Sequence, residues 1–257
     1  MAGGAVTLAG QVVLVTGGSR GIGRACVLRA AALGAQVVFC SRSGGGEMRA
    51  VEQEAAAHGA PGSAWGVTAD VSRESDVLHL FEAARGRFGP VDAVVHNAAI
   101  TRASLLVSTA AEDFDAVFAT NLTGSFLIAR QAVRAFLEQD RGGSIVFIGT
   151  LSQNGAPGNA SYAASKGGVA GLMRMTSRGY SDRSIRANLV VTGYVETALS
   201  ASLSRSARRA LVEGCPLRRS ASAEEIASVA TFLLSGAARG VEGQAVFATG
   251  GLLEVPL

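Results

Sequence analysis

The sequence predicts an α/β protein in which a doubly wound parallel β-sheet of about seven strands carries helices on both faces. Apolar runs of strand length alternate with amphipathic helical stretches from end to end of the chain. A glycine-rich turn joins the first run to the first helical stretch. Because no Pro/Gly/Ser-rich linker interrupts the alternation, residues 1–257 are expected to form a single domain.

The apolar runs give the predicted strands in chain order. They are Gln11–Val15, Gln36–Cys40, Ala64–Thr68, Val91–His96, Ser144–Gly149, Arg186–Val191 and Gln244–Ala248. The amphipathic stretches give the predicted helices Gly21–Leu33, Glu47–His58, Glu74–Phe88, Ala111–Leu137, Ala160–Arg178 and Ala223–Leu234. The weakly periodic segment Tyr194–Arg219 follows a strand, so it is either a mobile lid over a ligand site or a solvated connector.

Composition excludes several classes of protein. Apolar residues make up 48% and charged residues 17% of the 257 residues, which argues against disorder. The net charge of +3 comes from scattered arginines, so no nucleic-acid surface is expected. The three cysteines, Cys26, Cys40 and Cys215, lack the spacing of a disulfide framework or metal site. Without a signal segment or a long apolar run, the expected location is cytoplasmic.

The glycine turn is typical of a dinucleotide site. Val12–Val15 leads into Thr16–Gly23, whose glycines follow the spacing Gly-x-x-x-Gly-x-Gly and let the backbone approach a pyrophosphate. A simple tight turn is the alternative interpretation. The second strand is followed by Ser41 and Arg42 and has no carboxylate at its end. Arg42, helped by Arg20, would attract a 2′-phosphate, which favours NADP over NAD.

The stretch Ser161–Lys166 places Tyr162 and Lys166 four residues apart, on one face of a predicted helix. A nearby ammonium favours the ionised phenol, so the spacing predicts a lowered tyrosine pKa and a usable proton donor. A surface helix without function is the alternative.

In this order and at these separations, the glycine turn, Asn97-Ala98-Ala99, Asn121 and Tyr162-x-x-x-Lys166 resemble the short-chain dehydrogenase/reductase family. The resemblance covers roughly Leu8 to Leu252 and implies a Rossmann-type fold. It implies that Tyr162 is the general acid/base, Lys166 lowers its pKa, and Asn121 kinks a helix and holds a relay water. The cofactor contacts it implies, together with those of the glycine turn, are Gly17, Ser19, Arg20, Gly21, Ile22, Gly23, Ser41, Arg42, Asp70, Val71, Asn97, Ala98, Ala99, Tyr162, Lys166, Val195 and Thr197.

The chain departs from the family pattern where a substrate-orienting serine is usual, thirteen residues before the tyrosine, because Gly149 stands there. Thr150 is favoured as its replacement because strand register fixes the direction of the side chain, and Ser152 is the other candidate. His96 and Ala99 replace the usual Asn and Gly, and Val191-Thr192-Gly193 replaces a usual Pro-Gly. His96 is interpreted as structural rather than catalytic.

Within the family, the segments around Ile100–Arg102 and Gly155–Ala160 are similar to 3-oxoacyl-acyl-carrier-protein reductases. This implies NADPH-dependent reduction of a 3-oxoacyl thioester and a homotetramer. Arg141 and Arg183 match basic residues that flank the site entrance and bind the acidic carrier, although both could be ordinary helix-end cations. A reductase of a free ketone and a weakly catalytic, cofactor-binding partner subunit are the alternative functions.

Overall fold

The computed structural model describes residues 6–60, 62–201 and 203–253. The ends of the predicted domain, residues 1–5 and 254–257, lie outside the described residues. Seven strands form one parallel sheet in the order β3-β2-β1-β4-β5-β6-β7, which confirms the predicted doubly wound architecture. The strands are β1 Val12–Thr16, β2 Gln36–Ser41, β3 Ala64–Thr68, β4 Ala93–His96, β5 Gly143–Thr150, β6 Ile185–Thr192 and β7 Ala245–Ala248.

The helices confirm the predicted alternation, with two differences. A π-helical turn at Ala119–Thr123 divides the predicted helix Ala111–Leu137, and an additional helix, α7, lies inside the segment Tyr194–Arg219. The α-helices are α1 Gly21–Ala32, α2 Gly46–His58, α3 Glu74–Phe88, α4 Ala111–Phe118, α5 Gly124–Gln139, α6 Ala160–Tyr180, α7 Arg205–Gly214 and α8 Ala223–Leu234. None of the helices in the described ranges is long and apolar enough to cross a membrane.

The strands are apolar on both faces because both faces of the sheet are covered. In β1 all five residues are buried; Leu14 faces one apolar cluster, whereas Val13 and Val15 face the other. The first cluster lies beneath α3, α5 and α6, and the second beneath α1, α2 and α8. Two covered faces leave the strand ends as the place where polar groups can meet a ligand.

The order in which successive strands are added to the sheet reverses between the parallel strands β1 and β4, which opens a crevice at their carboxyl ends. The buried hydroxyl of Thr16, the last residue of β1, lies at the floor of this crevice. Its oxygen accepts hydrogen bonds from the backbone N–H groups of Asn97 and Ala98, both at 3.0 Å. This fixes the segment after β4 against the glycine turn.

Candidate active site

Two adjoining cavities, of about 470 and 480 Å³, open at the carboxyl edge of the sheet. The catalytic cavity holds Thr150, Ser152, Tyr162 and Lys166, and the cofactor groove holds the glycine turn and the end of β2. The two are contiguous, since both are lined by Ile22, Asn97, Ala99, Thr101, Thr197 and Leu199. A ligand can therefore extend from the glycine turn to Tyr162.

The glycine turn is built so that its backbone can contact an anion. Gly17 and Gly21 have φ values of +66° and +55°, which L side chains rarely adopt. A Cβ on Gly23 would overlap the carbonyl oxygen of Gly17, so only glycine lets α1 start this close to β1. The first turn of α1 carries no acidic residue, and its free N–H groups favour a phosphate. These residues fit the pyrophosphate of a dinucleotide.

Most of the predicted cofactor residues line these cavities. The groove is lined by Gly17, Ser19, Arg20, Gly21, Ile22, Ser41, Arg42, Val71, Asn97, Ala98, Ala99 and Thr197, and the catalytic cavity adds Tyr162, Lys166 and Val195. Asp70 and Gly23 line neither cavity, and the Asp70 carboxylate accepts hydrogen bonds from the N–H and hydroxyl of Ser72. Desolvation would raise the pKa of Asp70, but the bonds from Ser72 and the charges of Arg42 and Arg73 outweigh it and hold the pKa below its usual value.

Tyr162 and Lys166 lie together in the first turns of α6, with the Lys166 ammonium 5.9 Å from the centroid of the phenol ring. The ammonium donates to the carbonyl oxygen of Ile148, at 2.7 Å. Burial raises the pKa of Tyr162 to about 12 and lowers that of Lys166 to about 8. The lowered tyrosine pKa predicted from the spacing is therefore wrong, because desolvation of the phenol raises the pKa instead.

The π-helical turn places Asn121 between three segments of the site. Its side-chain Oδ1 accepts from the N–H of Ile100 at 2.9 Å, and its Nδ2 donates to the Ile100 carbonyl at 3.0 Å and to Ser165 Oγ at 3.1 Å. Asn121 is fully buried and connects the helix break to the residue before Lys166. The kink implied by the family resemblance is present. π-turns of this kind are frequent at functional sites.

Thr150 and Ser152 both line the catalytic cavity. A Cβ at Gly149 would meet the Leu189 side chain at 2.9 Å, so a serine at that position would point into the packed core. Thr150 Oγ1 accepts from the backbone N–H of Ser152 at 3.2 Å, which leaves its own proton available for donation. Strand alternation and this hydrogen bond both favour Thr150 as the substrate-orienting hydroxyl.

His96 is buried at the end of β4. The Nδ1 atom of His96 lies 3.1 Å from Thr16 Oγ1. Because that oxygen already accepts hydrogen bonds from two backbone N–H groups, the proton of the Thr16 hydroxyl points to Nδ1. Burial, together with the charge of Lys166, lowers the pKa of His96 to about 3 and keeps the imidazole neutral. This contact favours the structural interpretation of His96.

The segment Tyr194–Arg219 lies over the catalytic cavity, apart from Ser202, which is outside the described residues. A 3-10 turn at Ala198–Ser200 and the helix α7 build this cover. Its contribution to the cavity wall is mostly apolar: Tyr194, Val195, Thr197, Leu199, Ser200, Leu203, Ala207, Ala210 and Leu211. Tyr194, Thr101 and Asn159 also line this cavity and were not predicted individually, because nothing in their spacing separates them from ordinary loop residues.

Arg141 and Arg183 do not reach the catalytic cavity of their own chain. They precede β5 and β6 and so lie at the amino ends of these strands, whereas Thr150 and Thr192 lie at the carboxyl ends. Seven residue steps separate these ends, which is about 23 Å. Arg141 also donates to Asp92 at 2.9 Å. The expected position of both arginines beside the entrance is therefore wrong within one subunit.

Comparisons with known proteins agree with this architecture. A family model described as enoyl-(acyl carrier protein) reductase matches residues 17–253. The 3-oxoacyl-[acyl-carrier-protein] reductase FabG of Thermotoga maritima is 36% identical over 96% of this chain and 99% of the relative. FabG of Escherichia coli is 34% identical over 96% and 98%. MabA of Mycobacterium tuberculosis, also named a 3-oxoacyl-[acyl-carrier-protein] reductase, is 34% identical over 93% and 92%. The chain belongs to the short-chain dehydrogenase/reductase family.

Proposed function

We propose that this protein reduces the ketone of a 3-oxoacyl thioester to the 3-hydroxyacyl product with NADPH, in fatty-acid or polyketide-type biosynthesis. The observation that carries the proposal is the convergence of Tyr162 and Thr150 in one largely apolar cavity that opens into the cofactor groove. Relatives at 34–36% identity over almost the whole chain are named for this reaction. We also propose that residues 1–257 form a single domain.

In the proposed mechanism each site residue handles a proton or positions the reacting oxygen. The nicotinamide, when bound, supplies the hydride. Tyr162 gives its proton to the developing alkoxide while the Thr150 hydroxyl donates to the same oxygen. Lys166, together with Asn121, resupplies the proton to Tyr162. The apolar wall formed by Leu199, Leu203 and Leu211 accommodates the acyl chain.

Membership of the family implies a nicotinamide cofactor, and we propose that it is NADP(H). Arg20 and Arg42 are exposed residues lining the groove at the end of β2. No acidic residue is among the groove-lining residues of the described chain. A 2′-phosphate would meet two guanidinium groups and no carboxylate there.

The cofactor proposal predicts that Arg42→Asp lowers kcat/KM for NADPH by about 10- to 100-fold, because a charge-assisted hydrogen bond is replaced by repulsion. The value for NADH should change little. Initial rates with each cofactor at one ketone concentration measure both. Arg49→Asp, on the exposed surface of α2, makes the same change in net charge outside the groove. Equal losses with the two cofactors would contradict the assignment.

The buried Lys166 predicts the pH dependence of reduction. Its lowered pKa of about 8 means that the ammonium is charged below that pH and neutral above it. Tyr162, with a pKa of about 12, stays protonated throughout. The kcat/KM for ketone reduction should be level through neutral pH and fall above about pH 8, as the relay loses its proton. A profile that stays level to pH 10 would argue against Lys166 as the relay group.

We propose that the thioester is presented by an acidic acyl-carrier protein and that the active protein is a homotetramer. The partly exposed apolar side chains Phe126 on α5, Met175 on α6 and Phe247 on β7 supply surfaces that subunit contacts would bury. We propose that Arg141 and Arg183, which lie at the amino edge of the sheet away from their own cavity, attract the acidic carrier from a neighbouring subunit of this oligomer. Light scattering of the purified protein gives the oligomeric state directly.

A coupled NADPH-oxidation screen tests the proposed function. It compares acyl-carrier-bound, coenzyme A-bound and free 3-oxoacyl substrates, an unactivated ketone and a 2-enoyl thioester at equal concentration. The 2-enoyl thioester is included because the matching family model is described as enoyl-(acyl carrier protein) reductase. We expect the 3-oxoacyl thioesters to be preferred, because a ketone oxygen can accept from both hydroxyls, whereas enoyl reduction ends with a proton on carbon. Preference for the unactivated ketone or the enoyl substrate would overturn the proposal, and NADPH binding without turnover would indicate a partner subunit.

A further inference from the structure

Asn159 stands immediately before α6, in the position of an N-cap, but it does not cap the helix. Asparagine at an N-cap normally accepts a hydrogen bond from the N–H of the second or third helical residue. Here the side chain makes no such bond. Its Oδ1 accepts instead from the hydroxyl of Thr101, at 3.1 Å. The carboxamide is thus turned from the helix end towards the wall of the catalytic cavity, which both residues line.

Two loops hold this pair in place. The N–H of Ser104 donates to the carbonyl of Gly158 at 3.0 Å, and Ser104 and Asn159 form an isolated parallel bridge. The loop after β4 is therefore fastened to the loop before α6. With its oxygen committed to Thr101, the amide of Asn159 presents its NH₂ group on the other side. Among the described residues, the bond from Thr101 is the one hydrogen bond that the Asn159 side chain forms, so its NH₂ group is available to a ligand.

Asn159 precedes Tyr162 by three residues at the start of α6, and both side chains line the catalytic cavity. A 3-oxoacyl thioester has a second carbonyl two carbons from the ketone. A neutral amide donor suits that uncharged oxygen. We propose that the Asn159 NH₂ group binds the thioester carbonyl while Tyr162 and Thr150 hold the ketone oxygen, so that Asn159 selects 1,3-dicarbonyl substrates over isolated ketones. This inference rests on the proposed function.

The test compares Asn159→Ala and the isosteric Asn159→Asp with the unaltered protein, on an acetoacetyl thioester of N-acetylcysteamine and on a monoketone of similar size. We expect kcat/KM for the thioester to fall about 10- to 100-fold, mainly through KM, in both variants. For the monoketone the change should stay within about threefold. Because the side chain makes no cap bond, the thermal midpoint of Asn159→Ala should stay close to that of the unaltered protein.

Thr101→Val is the matched control, since it removes the hydroxyl that orients the amide and leaves the donor in place. It should give a smaller loss, again confined to the thioester. Equal losses on thioester and monoketone, or none on the thioester, would overturn the role of Asn159 while the proposed function stands. If the unaltered protein reduced the monoketone but not the thioester, the proposed function and this inference would both fail.

Discussion

Replacing Tyr162 with phenylalanine is expected to lower kcat for 3-oxoacyl thioester reduction by about 10²- to 10⁴-fold. The variant keeps the ring and its contact with Lys166, so NADPH binding should remain unchanged. What it loses is the proton donor. Stopped-flow NADPH oxidation gives the rate, and fluorescence titration of NADPH gives the affinity.

The chain supplies matched controls for this substitution, since its other two tyrosines are Tyr180 and Tyr194. Tyr180→Phe, at the end of the same helix, should leave the rate unchanged. Tyr194→Phe removes another phenol from the catalytic cavity and should change the rate far less than Tyr162→Phe does. A larger loss of rate in Tyr194→Phe than in Tyr162→Phe, or undiminished turnover by Tyr162→Phe, would contradict the assignment of Tyr162 as the proton donor.

Replacing Gly23 with alanine is expected to destroy the cofactor site. The added Cβ would overlap the carbonyl oxygen of Gly17 and approach Asn97 Nδ2, which holds the turn through bonds of 3.1 and 3.2 Å to the carbonyls of Thr16 and Gly17. Forcing a methyl group into such packing costs about 3 kcal/mol. A penalty of that size in the bound state lowers NADPH affinity about 100-fold. Titration calorimetry and thermal unfolding measure the two effects.

Gly86→Ala gives the comparison for Gly23→Ala. Gly86 lies on the exposed side of α3, and a Cβ there would meet nothing within 4 Å. Because alanine is favoured over glycine inside a helix by about 1 kcal/mol, this variant should be slightly more stable and bind NADPH normally. Tight NADPH binding by Gly23→Ala would show that the turn can open without cost.

The strands and most helices could be predicted because both faces of the sheet are covered, which makes the strands uniformly apolar and the helices one-sided. The helix α7 escaped prediction for a different reason, although its apolar and charged side chains lie on opposite faces. Its apolar side chains, such as Ala207 and Leu211, line a cavity, while Arg205, Arg208 and Arg209 give it the composition of a loop. A ten-residue helix with so few apolar residues is harder to recognise from the sequence than a longer helix packed against the core.

One site property, the pKa of Tyr162, depended on information that spacing does not contain. The four-residue spacing of Tyr162 and Lys166 places the groups together, but the sign of the pKa change depends on burial, which opposes ionisation of the phenol. The positions of Arg141 and Arg183 could have been predicted. Residues that precede parallel strands must lie at the edge opposite the site.

The wall of the catalytic cavity contributed by Tyr194–Arg219 is separate in the chain from the residues proposed to move protons. Tyr162, Lys166 and Thr150 stand on α6 and β5. Exchanging the segment for one of different length or bulk would therefore reshape the acyl-chain space and leave the chemistry in place. A single scaffold of this kind can be retargeted by grafting one surface segment, which makes it a suitable starting point for engineered ketoreductases.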